Sequence, residues 1–227
     1  MESSVGYESD VVLRKVSSAM RNVLLGHGQY ERDGTLFAEL PKIDTLRKIL
    51  REIITEKAVV VDFGGGLGGS YVSNHDFFEN KSVRYIVVEQ INFVEEGKKI
   101  ADEFDLPIHF TSDISECSLE VFDVLILSSV IQYLDKWELI IRKLTSYKPR
   151  YILIDRTPLS NGPTEIFVQE NEGYYTPKVS YPSRILNQKE LLQEFVGYEV
   201  SRKWRSDFDP EDHLGFLLVR VGIDNEG

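Results

Sequence analysis

The spacing of apolar residues changes character near residue 57. In PKIDTLRKILREIITEK (41–57), Ile43, Leu46, Ile49, Leu50, Ile53 and Ile54 recur at three- and four-residue steps, which puts them on one face of an amphipathic helix. Pro41 stands where such a helix can begin. Residues 1–57 are expected to be mainly helical, interrupted by a glycine-punctuated loop, GHGQYERDGTLF (26–37). Beyond 57 the periodicity gives way to short apolar runs without alternation: AVVVDF (58–63), RYIVVE (84–89), FDVLILSS (122–129) and RYILIDR (150–156). Strands buried on both faces of a parallel sheet have this look. A weaker run, PIHFTSD (107–113), falls among them, and NFVEEGKKIADEF (92–104) and WELIIRKLTSY (137–147) supply intervening helical patterns. Alternating strands and helices predict an open, doubly wound α/β sheet.

The last part differs. NQKELLQEFV (187–196) reads as a helix with Asn187 as its N-cap. YEVSRKWRS (198–206) and HLGFLLVRV (213–221) read as two strands joined by the turn-rich DFDPED, a closing antiparallel pair on a mostly parallel sheet. Between them and the fifth strand, residues 157–184 form a long segment rich in Pro, Gly and Tyr, expected as a functional or mobile loop. The chain thus divides into an N-terminal helical extension, 1–57, and an α/β domain, 58–227.

Composition narrows the function classes. A net charge of −11 with no basic run argues against affinity for nucleic-acid phosphates. Cys117 is the only cysteine, so neither an internal disulfide nor a thiolate metal cluster is expected. His27, His75, His109 and His213 include no i, i+4 pair, and no metal site is expected. No apolar stretch approaches the ~20 residues needed to span a bilayer. MESSVGYESD lacks the basic and apolar regions of a signal peptide, so a cytoplasmic location is expected.

The candidate chemistry lies in VVVDFGGGLGGSYVSNHDFF (59–78). Gly64, Gly66 and Gly69 satisfy G-x-G-x-x-G, a dinucleotide signature, whereas Asp62, Gly64, Gly66 and Gly68 satisfy D-x-G-x-G-x-G, an S-adenosylmethionine signature. In either register, glycines at a strand end permit a tight turn and close approach of a ligand at the carboxyl edge of the sheet. Asp62 separates the two. A carboxylate beside the loop repels a pyrophosphate but favours a cofactor carrying an ammonium and a sulfonium. Glu89, ending the second strand, suits ribose hydroxyls in both.

In order along the chain, VVVDFGGGLGG, YIVVEQ, TSDI, FDVLILSSVIQYL and YILIDRTPL resemble class I S-adenosylmethionine-dependent methyltransferases. More narrowly, YERDGTLF, DFGGGLGGSY, VVEQINFVEEGKK, LSSVIQYL, IDRTP and YPSRILNQKEL resemble a family of methyltransferases encoded in bacterial surface-polysaccharide gene clusters. The resemblance covers residues 24 to 220. It implies a Rossmann-like seven-stranded methyltransferase sheet and S-adenosyl-L-methionine as cofactor. Asp62, Gly64, Gly65, Gly66 and Gly68 would wrap the methionine end of that cofactor. Glu89 would hold the ribose, with Gln90 and Ile91 beside the adenine. Asp113 would meet the adenine amino group with Ile114 against the ring, although a turn or N-cap aspartate accounts for Asp113 equally well. Ser128 and Ser129 would line the cleft, and Tyr133 would face the acceptor or pack beneath the rim.

Methyl transfer from a sulfonium is an in-line displacement in which placement of the acceptor supplies most of the rate. A hydroxyl acceptor also needs help losing its proton, while an amine needs only to be neutral and aligned. Asp155, Tyr133, His75 and, more remotely, His213 are the candidate bases. Against them, Asp155 could pair locally with Arg156, and His75 reads more simply as an exposed helix-surface histidine. Arg156, Arg184, Tyr174, Tyr175 and Tyr181 could hold a sugar or nucleotide-sugar acceptor, or form a tyrosine-rich loop packed on its own sheet. YERDGTLF could fold over the cleft as a lid. Two other classes stay open: an NAD(P)-dependent oxidoreductase using the alternative glycine register, and a non-catalytic cofactor-binding partner of another enzyme.

Overall fold

A computed structural model describes residues 6, 9–41, 43–117, 121–171, 178–207 and 213–222. Helix α1 (Asp10–Leu24) comes first, followed by two short strands, β1 (Tyr30–Arg32) and β2 (Thr35–Phe37), paired antiparallel. The expected loop at 26–37 is therefore largely a hairpin. Its turn is Asp33-Gly34, with φ of 51° and 78°, the left-handed pair that a two-residue hairpin connection requires. Strands of three residues are too short to show alternation, which is why the pattern did not expose them.

Helix α2 (Thr45–Ile53) starts four residues later than Pro41 would place it. Asp44 caps it by accepting the Arg47 N–H at 2.8 Å, and the Asp207 carboxylate accepts the Thr45 N–H at 2.6 Å. Ile43, left outside the helix, is 67% exposed. Ile49, Leu50 and Ile54 share one core with Val60, Tyr85 and Val87 of the sheet.

The five apolar runs form parallel strands: β3 (Val59–Phe63), β4 (Arg84–Val88), β5 (Ile108–Thr111), β6 (Val124–Ser128) and β7 (Tyr151–Ser160). Between them lie α3 (Gly69–Val72), α4 (His75–Asn80), α5 (Ile91–Phe104) and α6 (Trp137–Thr145). The expected loop at 157–184 is instead mostly sheet. β7 runs on to Ser160, and β8 (Glu165–Asn171) pairs antiparallel with β9 (Val179–Asn187). Among the described residues, that hairpin pairs with the main sheet only through Leu159↔Leu186 and Ser160↔Asn187. Residues 172–177, with Tyr174 and Tyr175, lie outside the described residues, as does most of the DFDPED turn.

Helix α7 (Gln188–Gln193) is capped by Asn187, whose side chain accepts the Glu190 N–H, as expected. β10 (Tyr198–Arg205) and β11 (His213–Arg220) close the sheet as the antiparallel pair. The main path runs β10-β11-β7-β6-β3-β4-β5, with β11 alone reversed. One face packs against α6 and α7 through Trp137, Ile141, Leu144 and Leu191, and the other against α2, α4 and α5 through Leu50, Phe78 and Val94. The chain steps outward from β3 to β4 and β5, then crosses back to β6. The carboxyl ends of β3 and β6 therefore flank the switch point where ligands of such sheets settle.

Candidate functional site

The glycine loop leaves β3 at Phe63, and the Gly64 N–H donates to the Val88 carbonyl at 2.9 Å, pinning the turn to the neighbouring strand. Gly64 has φ 75° and Gly66 φ 58°, the left-handed region that side chains disfavour. Gly65 lies directly over Asp62, where an added Cβ would stand 2.6 Å from the carboxyl carbon. Asp62 is only 2% exposed. The Tyr85 hydroxyl donates to it at 2.7 Å and Ser70 bonds it as well, but burial outweighs both and pushes its pKa up to about 6. Glu89 follows β4, half-buried, and its pKa is pushed up to about 7 by burial despite the Gln90 N–H it accepts, with the Asp62 charge adding to the rise. Two carboxylates thus share the carboxyl ends of adjacent parallel strands.

A cavity of about 1310 Å³ runs from this acidic pair across to the ends of β6 and β7. That exceeds the roughly 300–1,000 Å³ of a single small-molecule site and leaves room for two molecules side by side. The β1–β2 hairpin borders it through Tyr30, Glu31 and Asp33, and the β8–β9 hairpin through Phe167, Gln169 and Tyr181. Glu31 accepts the Gly34 N–H at 3.0 Å, and its burial pushes its pKa to about 7.

At the far end, Ser129 and Arg156 both take positive φ, 53° and 52°, although neither is glycine. Such strain persists only where the surroundings hold it. Gln132 is one such constraint: its Nε2 donates to the Ser129 Oγ at 3.2 Å and to the Arg156 carbonyl at 3.3 Å. Asp155 is buried beside them. The Trp204 Nε1–H donates to it at 2.8 Å, and burial raises its pKa to about 6 against that bond and the Arg156 charge. Tyr133 donates its hydroxyl to Gln169 at 3.3 Å and stands edge-on to Tyr181, 5.3 Å between ring centres. Burial raises its pKa.

Of the residues singled out from sequence, Asp62, Gly64, Gly65, Gly66, Glu89, Gln90, Ser128, Tyr133 and Asp155 all line this one cavity, as do Arg156 and His213. Others lie elsewhere. Gly68 caps α3 and packs over Ile108. Asp113 is a half-buried turn aspartate. It accepts the Ser115 N–H at 3.0 Å and pairs with Lys143 at 2.9 Å, which holds its carboxyl at about 2. Ile114 is buried in the core, while Ser112 lines the cavity instead. His75 sits on the outside of α4 between Asp76 and Glu79, away from the cavity. Arg184 is tied to Asp135 at 2.7 Å and holds β9 in place without itself lining the cavity. Gln132, Glu31 and Trp204 are the contributors that sequence reasoning did not single out. No spacing marks Gln132 or Trp204, and Glu31 lay inside a segment read only as a lid.

No protein-family model matches the sequence, and no curated protein matches it. Solved structures do match. A Burkholderia thailandensis 1,6-didemethyltoxoflavin-N1-methyltransferase, crystallised with 1,6-didemethyltoxoflavin and S-adenosylhomocysteine, aligns at 14% identity and TM-score 0.57, covering 97% of this chain and 92% of that one. The glycopeptide N-methyltransferase MtfA in complex with S-adenosyl-L-methionine aligns at 16% identity and TM-score 0.55, covering 89% and 98%. The N-terminal domain of EvdMO1, crystallised with S-adenosylhomocysteine and D-fucose, aligns at 12% identity and TM-score 0.57, covering 91% and 95%. With the strand order above, these likenesses establish the fold: the chain has the Rossmann-like, mostly parallel sheet of the methyltransferases.

Proposed function

We propose that the protein is an S-adenosylmethionine-dependent methyltransferase acting on a small-molecule acceptor. The observation that carries this reading is the placement of Asp62 and Glu89 together beneath and beside the glycine loop, in a cavity with room for a second molecule. A pyrophosphate set on this loop would face both carboxylates, whereas an ammonium and a sulfonium are attracted by them. Gly64, Gly65 and Gly66 bring backbone against the methionine end, and Glu89 and Gln90 receive the ribose and adenine. Ser128, Tyr133 and Asp155 border the acceptor. His75, Asp113, Ile114 and Gly68 are left out of the site because none lines the cavity. Residues 1–57 are read as a lid-bearing extension, with the β1–β2 hairpin covering the cleft.

Calorimetric titration tests the cofactor. S-adenosylmethionine and S-adenosylhomocysteine should each give saturable heats, and NAD and NADP none. Saturable NAD(P) binding without S-adenosylhomocysteine binding would make this an oxidoreductase site. The titration should also depend on pH with a fixed sign. Asp62 and Glu89 carry raised values of about 6 and 7 in the free protein, and a bound cation lowers them. Affinity is therefore full above pH ~8 and is lost as pH falls through those values. If both groups must ionise, the loss at pH 5.5 approaches roughly a hundredfold, with protons released on binding. Constant affinity from pH 8 to 5.5 would show that neither carboxylate meets the cofactor's charge.

For the acceptor we propose a hydroxyl or amine of a sugar or sugar-linked intermediate in surface-polysaccharide synthesis. The narrow resemblance of YERDGTLF, LSSVIQYL and YPSRILNQKEL motivates it, together with the aromatic faces of Tyr133, Tyr181 and Phe167 on the cavity wall, against which sugar rings stack. Methylation of a non-sugar metabolite in preference to any sugar or capsule fragment would overturn that part alone.

A further inference from the structure

The three arginines on the cavity wall, Arg32, Arg47 and Arg156, are not equivalent. Arg156 stands among carboxylates: Asp33 lies 4.0 Å from it, and its charge also acts on Glu31 and Asp155. Arg32 sits in β1, next in sequence to Glu31 and Asp33. Arg47 comes from α2. It is half-buried, and its guanidinium makes one hydrogen bond, from Nε to the Asn74 Oδ1 at 3.3 Å. The Arg51 Nε, one turn further along α2, donates to the same oxygen, also at 3.3 Å. Neither arginine makes an ion pair among the described residues. Asp44 feels the charge of Arg47, but its carboxylate is engaged in capping, where it accepts the Arg47 backbone N–H.

Like charges four residues apart on a helix repel, and one neutral amide oxygen between them does not offset two positive charges. That amide is fixed. Asn74 is 3% exposed, and its Nδ2 donates to the Ser70 carbonyl at 3.0 Å, so its Oδ1 is the atom turned to the arginines. Arg51 is held over the Phe77 ring, 5.0 Å from its centre. The Nη groups of Arg47 are left over, and they form the fork that takes a carboxylate or phosphate with two parallel hydrogen bonds.

The surroundings of the fork favour one oxyanion. Ser70, Ser73 and Asn74 line the cavity along with Arg47. The Ser70 side chain bonds Asp62, so Arg47, Asn74, Ser70 and Asp62 are joined in one relay that ends at the carboxylate beneath the glycine loop. A cation at one end and an anion at the other suit a zwitterion. We infer that Arg47, with Arg51 behind it, is an oxyanion site, and that the group it holds is the α-carboxylate of S-adenosylmethionine, an assignment that rests on the cofactor reading above. The ammonium of the same amino acid then lies toward Asp62. Fixing both ends of the methionine chain keeps the sulfonium from sliding, and an in-line displacement depends on that placement. An acidic group on the acceptor has the same chemistry, so the test has an arm for each source.

The full chain is titrated by calorimetry with S-adenosylhomocysteine and with the analogue in which hydrogen replaces the α-carboxylate. The parent protein should prefer S-adenosylhomocysteine by at least about tenfold. Arg47→Gln should weaken S-adenosylhomocysteine by about ten- to a hundredfold and the analogue by less than about threefold, so that the preference collapses while binding of the analogue shows the variant to be folded. Arg47→Lys, which keeps the charge without the fork, should fall between. Arg32→Gln should retain the preference. In the second arm, parent and Arg47→Gln proteins saturated with S-adenosylhomocysteine are titrated with glucose, glucose 6-phosphate and inorganic phosphate. Phosphate-dependent binding that vanishes in Arg47→Gln, with S-adenosylhomocysteine affinity unchanged, would give the fork to the acceptor and overturn the cofactor assignment. Equal losses for S-adenosylhomocysteine and its analogue, no loss for either ligand in either arm, or a preference carried by Arg32 overturns the inference while leaving the methyltransferase reading in place. Failure of S-adenosylhomocysteine to bind the parent protein overturns both.

Discussion

Alanine at position 65 is expected to remove most of the cofactor affinity while leaving the fold in place. The added methyl carbon would stand 2.6 Å from the Asp62 carboxyl carbon and 2.7 and 3.0 Å from its oxygens. Asp62 cannot swing aside, because Tyr85 and Ser70 hold its carboxylate and the core closes around it. The loop must lift instead, which breaks the register between its backbone and a ligand lying against it. Overpacking of this kind costs about 1–3 kcal/mol, so the S-adenosylmethionine Kd for Gly65→Ala should rise by up to about a hundredfold. Two further variants separate crowding from the mere loss of glycine. An added Cβ at Gly66 meets nothing within 4 Å, so Gly66→Ala carries only the left-handed backbone strain, roughly 1–2 kcal/mol. Gly162→Ala, whose nearest neighbour is the Ser160 hydroxyl at 3.7 Å, should be silent. Titration calorimetry on the three reads the ranking. A Gly65→Ala protein that binds within threefold of the parent would mean that the loop is not seated on Asp62 as described.

Gly215→Ala is the second large effect, and it acts on stability. Gly215 pairs with Trp204 across β10 and β11, and the indole lies flat over it, so a Cβ there would overlap the ring. The same ring donates from Nε1 to the buried Asp155. Displacing it combines overpacking with the loss of a buried carboxylate's donor, together about 3 kcal/mol. For a chain of this length that lowers the thermal midpoint by roughly 6–12 °C. Trp204→Leu removes the overlap, so the double variant should be less destabilised than the sum of the two single ones. Circular dichroism melts of the four proteins complete the cycle. Additive losses, or an unchanged midpoint in Gly215→Ala, would contradict the packing.

The strands that build the sheet were legible because burial on both faces left VVVDF, RYIVV and VLILS with no polar alternation to confuse. Asn187 was legible because a capping side chain acts locally. What stayed hidden depends on partners distant in sequence. The start of α2 is decided by Asp44 together with Asp207, which lies 162 residues away from Thr45. β8 shows no apolar period because alternate residues, Phe167 and Gln169, face a cavity and not a core, so the segment read as loop. The same holds within the site. Gly64, Gly66 and Glu89 announce themselves by spacing or by an acid ending an apolar run. Asp113 has the same local appearance but is drawn away by Lys143 from α6. Gln132 has no local signature, since its importance comes from the Ser129 hydroxyl and the Arg156 carbonyl, 27 residues apart in sequence, that it ties together.

The two walls of the cavity are anchored very differently. The glycine loop leaves the interior of a sheet where β3 is paired on both sides, so change there propagates into the core. The β8–β9 wall pairs with the sheet through two residue pairs, and β9 is further held by Leu186 in the core and by Arg184 on Asp135, while β8, with Ile166 and Val168, stays largely exposed. Inheritance can therefore reshape the second wall while the first is held constant. Descendants of this chain would diverge in what they accept long before they diverge in what they donate, and a designer seeking a new acceptor should randomise the exposed strand at 165–171 first.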